Sequence, residues 1–311
     1  MTLGTYLKDK VLVVTGGGRG IGRATAVAAA AEGASVVVGD YGGRVDNRTG
    51  ASSEAADGVV AEITDAGGRA VAVAEDVSTI EGGRRTVEAA VEHFGRLDGI
   101  ACFAGITVTK YLWELEESDW DDVVAVHLKG HFSCAQAAAR IMMEQGSGSL
   151  VFIGSGAMIG PPNMPSYAAS KAGILGFTWS TAYALDRFGI TTNCVVPSAA
   201  TRMSDSIYGN AGVLSDQVGE TMRSELAAGT PRDPANLTPV VLYLLSDEAK
   251  DINGQIFRAQ GYQVARLGGL VWDKSMQNDG PWDLGTFGDR LRDELGPTLT
   301  PPEVPWPEPP R

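Results

Sequence analysis

The sequence predicts an α/β domain built on a single doubly wound parallel sheet with helices on both faces, followed by a C-terminal extension. Three observations predict it. Short β-branched runs alternate with longer stretches of helical periodicity from Lys10 to about Leu267. A cluster of glycines directly follows the first run and opens the first helix. With 311 residues, 44% hydrophobic and 20% charged, the chain can bury a large core.

The first strand lies in KVLVVT, Lys10–Thr15, followed by the glycines of Gly16–Gly22 and an Ala-rich helix, Arg23–Glu32. A second apolar run, Ser35–Gly39, ends at Asp40. The polar, Gly-rich stretch Tyr41–Ser53 has no periodicity and reads as a surface loop, and helical patterning resumes over Glu54–Ala66. Next come a strand, Ala70–Ala74, a helix, Arg84–Phe94, and a strand, Gly99–Phe103. In that helix Val87, Ala90, Val91 and Phe94 fall on one apolar face. One long helix from about Ser118 to Gln145 leads into a strand, Ser149–Ile153, a helix, Ser166–Phe188, and a strand, Thr191–Val196. The weak periodicity of Thr201–Gly229, with Gly209, Gly212 and Gly219, suggests a mobile helical flap. Helix Pro234–Ser246 and strand Gln255–Arg258 complete a domain spanning 1–267. The extension, 268–311, holds Trp272, Trp282 and Trp306, a short helix Leu284–Leu295 and a Pro-rich end that favours extended polyproline backbone. Its Trp272, Trp282 and Phe287 offer packing on the domain, cover for a site mouth, or contact with a partner subunit.

Composition excludes several function classes. A formal net charge of -13 disfavours attraction to phosphate backbones or anionic lipid, so neither nucleic acid nor a membrane surface is expected as a partner. No run approaches the roughly 20 apolar residues that span a bilayer, and MTLGTYLKDK has no apolar stretch behind its basic residues. Cys102, Cys134 and Cys194 lie far apart in apolar surroundings and read as reduced core thiols, which fits a cytoplasmic protein.

The glycine cluster carries the first chemical signal. Glycine lets the backbone approach a pyrophosphate, whose charge the free N–H groups and positive end of the following helix favour. The strand-to-helix context is the one a Rossmann-type dinucleotide fold requires. Asp40, at the end of the second strand, can accept hydrogen bonds from the adenosine ribose hydroxyls and would repel a 2′-phosphate, which favours NAD over NADP. Arg19, in the same loop, could instead neutralise that phosphate.

A second signal is YAASK, in which Tyr167 and Lys171 share a helix face at i, i+4. A tyrosine with an ordinary pKa of about 10 is a poor base at neutral pH, and a neighbouring ammonium makes proton exchange feasible by stabilising the phenolate. Ser155, at the end of the preceding strand in LVFIGSG, can hydrogen-bond a substrate oxygen in either oxidation state. His127 lies in VHLKGHF with Trp120, Val123, Val124, Leu128 and His131 on the same helical face. It reads either as a core histidine satisfied by a backbone carbonyl or as a member of a proton relay. No third ligand accompanies His127 and His131, so no metal is expected.

Taken in order across about Lys8–Leu267, TGGGRGIG, Asp76 in AEDVS, Ala104-Gly105, Ser155, YAASK and Pro197 resemble the short-chain dehydrogenase/reductase family. The resemblance implies Tyr167 as general acid/base, Lys171 holding the nicotinamide ribose and tuning Tyr167, Ser155 orienting the substrate and Asp76 contacting adenine. It further implies cofactor contacts at Gly16, Gly18, Arg19, Gly20, Ile21, Gly22, Asp40, Val77, Ala104, Gly105, Pro197 and Thr201. Two positions depart from the family. CFAG, Cys102–Gly105, replaces a common NNAG and puts local packing in doubt; His127 stands where most members have a relay asparagine. Within the family, VHLKGHF, GDYGG and PSAATRM are most similar to the (3R)-hydroxyacyl-CoA dehydrogenase units of peroxisomal multifunctional enzymes.

The activity expected is interconversion of a secondary alcohol and a ketone with NAD, in a homo-oligomer, dimer or tetramer. The flap offers Met203, Ile207, Tyr208, Val213, Leu214 and Met222 but only Arg202 and Arg223 as cations, which favours an apolar, medium-sized small molecule (steroid, terpenoid or polyketide-like) over a CoA thioester. A 3-hydroxyacyl-CoA is the alternative substrate. A non-catalytic dinucleotide-binding or assembly subunit is the alternative of another class.

Overall fold

The computed structural model describes residues 5–43, 51–210, 223–270 and 274–296. Eight strands form one sheet: β1 (Val11–Thr15), β2 (Ser35–Gly39), β3 (Arg69–Val73), β4 (Gly99–Cys102), β5 (Gly148–Ile153), β6 (Ile190–Ser198), β7 (Ile256–Gln260) and β8 (Gln263–Arg266). Their order is β3-β2-β1-β4-β5-β6-β7-β8. The first seven pair in parallel and β8 joins antiparallel. The strand order reverses between β1 and β4, and a crevice opens there beyond the carboxyl ends of the strands.

The α-helices of the described residues are α1 (Gly20–Ala31), α2 (Glu54–Asp65), α3 (Ile80–Phe94), α4 (Glu117–Val124), α5 (Gly130–Gln145), α6 (Pro165–Leu185), α7 (Arg202–Asn210), α8 (Thr238–Leu244) and α9 (Leu284–Leu295). Alternation along each strand sends side chains to opposite faces. Leu12 and Val14 of β1 join one core with Ala26, Ala29 and Val241. Val11 and Val13 join the other with Val87, Ala138, Phe152 and Ile174. Two apolar faces, each covered by helices, explain why the strands read as continuous apolar runs.

Four differences from the sequence reading have physical causes. The helix expected to begin at Arg84 begins at Ile80, because Thr79 caps it by accepting from the Gly82 N–H. The continuous helix expected over Ser118–Gln145 is divided: a π-turn, Ala125–Lys129, separates α4 from α5. Strand β8 was not foreseen, because all four of its residues are exposed and no apolar run marks it. Finally, CFAG packs without the usual asparagines. Cys102 is buried in the second core with Cys134, while Thr15 supports the turn by accepting from the Phe103 N–H on its carbonyl and from the Ala104 N–H on its hydroxyl.

All three cysteines are free and buried. Of the expected flap, Arg202–Asn210 is helical and Ser224–Leu226 forms a 3-10 turn. Val213, Leu214, Met222, Gly212 and Gly219 lie outside the described residues, as do the side chains of Ile207 and Tyr208. In the extension, Trp282 packs edge-on against Phe287 with Arg290 over its ring, and α9 buries none of its residues. Trp272, Trp306 and the Pro-rich end lie outside the described residues. Among the described residues no helix is long and apolar enough to cross a membrane.

Candidate active site

A cleft of about 740 Å³ lies at the switch point. Its floor is the glycine loop between β1 and α1. Gly16 has φ +65, and a Cβ there would fall 2.7 Å from the Ala104 backbone nitrogen. At Gly18 a Cβ would fall 2.8 Å from the Asp40 carboxylate, so side chains are excluded and the backbone itself faces the cleft. Arg19, the N-cap of α1, makes no side-chain capping bond, and no acidic residue stands in the first turn. The positive end of α1 is thus left to an external anion, which fits a dinucleotide pyrophosphate.

Asp40 fastens the loop to β2. One carboxylate oxygen accepts from the Gly18 N–H at 2.9 Å, and the other accepts from the Gly42 N–H at 2.8 Å. Each oxygen keeps a lone pair for a further donor, which a ribose hydroxyl can be. Arg19 donates to the Gly43 carbonyl at 3.3 Å, on the same side of the loop. Arg202 of α7 stands near both: burial and the Arg19 charge hold its pKa below the usual value, while Asp40 opposes them. Asp76 lines the cleft, its carboxylate accepting from the Ser78 N–H at 2.9 Å.

At the opposite end, β5, α6 and the π-turn bring four functional groups together. Ser155 follows β5, its hydroxyl accepting from the Ala157 N–H at 3.1 Å. Tyr167 and Lys171 lie in the first turns of α6, which Pro165 starts without losing a helical bond. Both are buried. Burial pushes the Tyr167 phenol up, and the Ser155 hydroxyl opposes the shift. The Tyr167 hydroxyl stands 3.9 Å from the Met203 sulfur. Burial also pushes the Lys171 ammonium down, to about 8. That ammonium donates to the Ile153 carbonyl at 2.7 Å and sits 5.5 Å from the centre of the Tyr167 ring.

His127 is 1% exposed and stands edge-on to Tyr167, with ring centres 4.9 Å apart. Its Nε2 lies 2.6 Å from the Ile106 carbonyl and 3.2 Å from the Ile106 nitrogen, and its Nδ1 has no hydrogen-bond partner. Burial is the main cause that holds its pKa well below the ordinary imidazole value, with the Lys171 charge adding to it. It thus meets a backbone carbonyl, as a core histidine does, and lines the cleft as well.

Every residue expected from the sequence as catalytic or cofactor-binding lines this one cleft, from Gly16 through Val77, Ala104, Gly105 and Ser155 to Pro197 and Thr201. Among the lining residues that the sequence reading missed, three stand out. Ile153 contributes only its carbonyl, which no side-chain pattern reveals; Ile106 forms an apolar wall; and Arg232, outside the flap in which cations were sought, donates to the Ser198 hydroxyl at 3.3 Å. Arg223 is exposed and is not among the lining residues.

One doubly wound sheet with a glycine-floored cleft at its switch point and a buried tyrosine–lysine pair inside it defines an oxidoreductase of the dinucleotide-binding kind. The sequence profile described as short chain dehydrogenase matches residues 10–211. The chain belongs to the short-chain dehydrogenase/reductase family. It is 35% identical over 300 residues to the hydroxyacyl-CoA dehydrogenase ChsB1 of Mycobacterium tuberculosis, covering 93% of this chain and 89% of that one. It is 36% identical over 255 residues to the 3-oxoacyl-[acyl-carrier-protein] reductase FabG of Staphylococcus aureus, covering 81% of this chain and 97% of that one. Among solved structures it resembles a short chain dehydrogenase from Mycobacterium avium, with 36% identity and a TM-score of 0.81, over 96% of this chain and 99% of that one.

Proposed function

We propose that the protein interconverts a secondary alcohol and a ketone with NAD(H). The observation that carries the reading is the convergence of Ser155, Tyr167 and Lys171 in the cleft that the glycine loop floors. When bound, the nicotinamide supplies or accepts the hydride at the substrate carbon. Ser155 donates a hydrogen bond to the reacting oxygen and holds it against Tyr167. In the reductive direction the Tyr167 phenol gives its proton to that oxygen; in the oxidative direction the phenolate takes it back. Lys171 supports both by placing its charge beside the phenol, which burial alone would keep protonated. Asp40 accepts from the adenosine ribose hydroxyls and sets the preference for NAD.

The substrate's apolar part rests on Ile106, Val126 and Met203, which line the cleft. Steroid, terpenoid or polyketide-like alcohols fit that wall. A 3-hydroxyacyl thioester is the second reading, favoured by Arg232 in the lining and by the acyl-thioester relatives, since a CoA carrier brings phosphates that a guanidinium recognises. The protein is further proposed to work as a homo-oligomer in a reducing, cytoplasmic compartment.

Fluorescence titration with NADH and NADPH tests the cofactor: NADH binds at least about tenfold tighter, and a preference for NADPH overturns the role given to Asp40. A panel of acyl-CoA, steroid and terpenoid alcohols tests the reaction. Tyr167→Phe lowers kcat by about a thousandfold on any substrate that turns over, with NADH binding kept. Equal rates in the two proteins would overturn the role given to Tyr167, whereas absence of turnover across the panel would favour a non-catalytic dinucleotide-binding or assembly subunit.

A further inference from the structure

We infer that His131 is a positioning residue, bridging α5 to the end of β5 so that the carbonyl holding Lys171 stays in place. The inference rests on the role proposed for Lys171.

His131 is 1% exposed and makes two backbone hydrogen bonds. Its Nδ1 lies 2.6 Å from the His127 carbonyl, and its Nε2 lies 3.2 Å from the Ile153 nitrogen. A carbonyl only accepts and a backbone N–H only donates, so Nδ1 carries the proton and Nε2 is the acceptor. The two bonds therefore specify one neutral tautomer. Burial and the Lys171 charge push the ring pKa down to about 3, which keeps Nε2 free to accept through the physiological range. Phe152 packs edge-on against the imidazole, with ring centres 5.5 Å apart.

Strand β4 ends at Cys102, paired with Phe152, so Ile153 extends one residue past its neighbour on that side. Its N–H faces β4, whose Cys102 carbonyl is the acceptor this register provides, and His131 Nε2 stands 3.2 Å from the same N–H, tying α5 to the last residue of the strand. The Ile153 carbonyl accepts from Lys171 at 2.7 Å. Around Lys171 stand Tyr167 on its own helix, His127 in the π-turn, His131 on α5, Cys102 on β4 and Cys194 on β6. None of these is a carboxylate, so the direction of the ammonium depends on the carbonyl and not on a counter-ion. Releasing β5 at Ile153 lets the ammonium drift from the phenol, and the phenol then titrates higher.

Two measurements test this, neither of which needs the natural substrate. The first is the imidazole 15N spectrum of the unaltered protein, whose three histidines make assignment short. Expected for His131 is an Nδ1-protonated ring; an Nε2-protonated ring overturns the proposal. The second is the titration of Tyr167, followed as ultraviolet phenolate absorbance after subtracting the same protein carrying Tyr167→Phe. His131→Phe keeps the ring's bulk and removes both bonds; His131→Gln keeps a donor and an acceptor. The phenol should titrate higher by about half a unit or more in His131→Phe and return toward the unaltered value in His131→Gln. A folded His131→Phe with an unmoved phenol overturns the proposal. If His131→Phe does not fold, the tautomer decides. Absence of turnover across the substrate panel would defeat the reading of function and leave both measurements intact.

Discussion

Gly105 shows how closely single residues are fitted at this site. A Cβ there would fall 2.4 Å from His127 Cε1, with both ring nitrogens at 3.2 Å. The ring cannot yield freely, being buried, bonded to the Ile106 carbonyl and edge-on to Tyr167. Gly105→Ala therefore destabilises the fold by about 2 kcal/mol, read as a lower denaturation midpoint with unchanged m. It also lowers kcat, because displacement of His127 reaches the phenol. An alanine at Gly105 that left the midpoint unchanged would mean that the ring has another place to go. The sequence already marked Gly105 as a cofactor contact by resemblance, but not its role as the space His127 needs. Such closeness is a property of two residues far apart in the chain, and no local pattern encodes it.

At the scale of elements, periodicity located seven of the eight strands and the helices, while tertiary contacts decided their ends. Gly82 and Gly83 weaken the helical pattern before Arg84, yet both lie inside α3. A Cβ at Gly82 would meet the Asp76 carbonyl at 2.1 Å, and one at Gly83 would meet Ser133 of α5 at 2.3 Å. Gly83 lowers helix propensity in exchange for close approach of α3 and α5, and Gly82 in exchange for close approach of the Asp76 turn, reasons of contact that a propensity reading counts as a break. The π-turn is hidden for a related cause, since its residues carry ordinary helix formers and only the ladder of hydrogen bonds shifts. Gly58 supplies the contrast: it is exposed within α2, and a Cβ there meets nothing within 4 Å. Gly58→Ala should stabilise the protein by about 0.5–1 kcal/mol, measured as a raised denaturation midpoint, since only backbone entropy and helix propensity change. A lower midpoint would show that α2 contacts something outside the described residues.

For the whole molecule, residues expected at the site from separate motifs meet in one crevice because the fold brings the carboxyl ends of β1, β2, β4, β5 and β6 together, whatever the distances along the chain. What the fold adds is burial, and burial of two histidines beside Lys171 has a consequence for stability. His127 and His131 are each 1% exposed and held as neutral rings, with His127 well below its ordinary value and His131 at about 3. In the unfolded chain imidazoles take up protons near pH 6.5. Below that pH the unfolded state binds more protons than the native one, so stability rises with pH through the window and falls as acid is added. Each such group contributes a slope of up to about 1.4 kcal/mol per pH unit. Denaturant unfolding between about pH 6.5 and 5, above the range where most carboxylates titrate, should show this slope. His131→Gln removes one of the two groups, so its stability should depend less steeply on pH, by about one proton's worth, even if it is less stable at pH 7. Equal slopes in the two proteins would mean that the buried ring takes up its proton while the molecule is still folded.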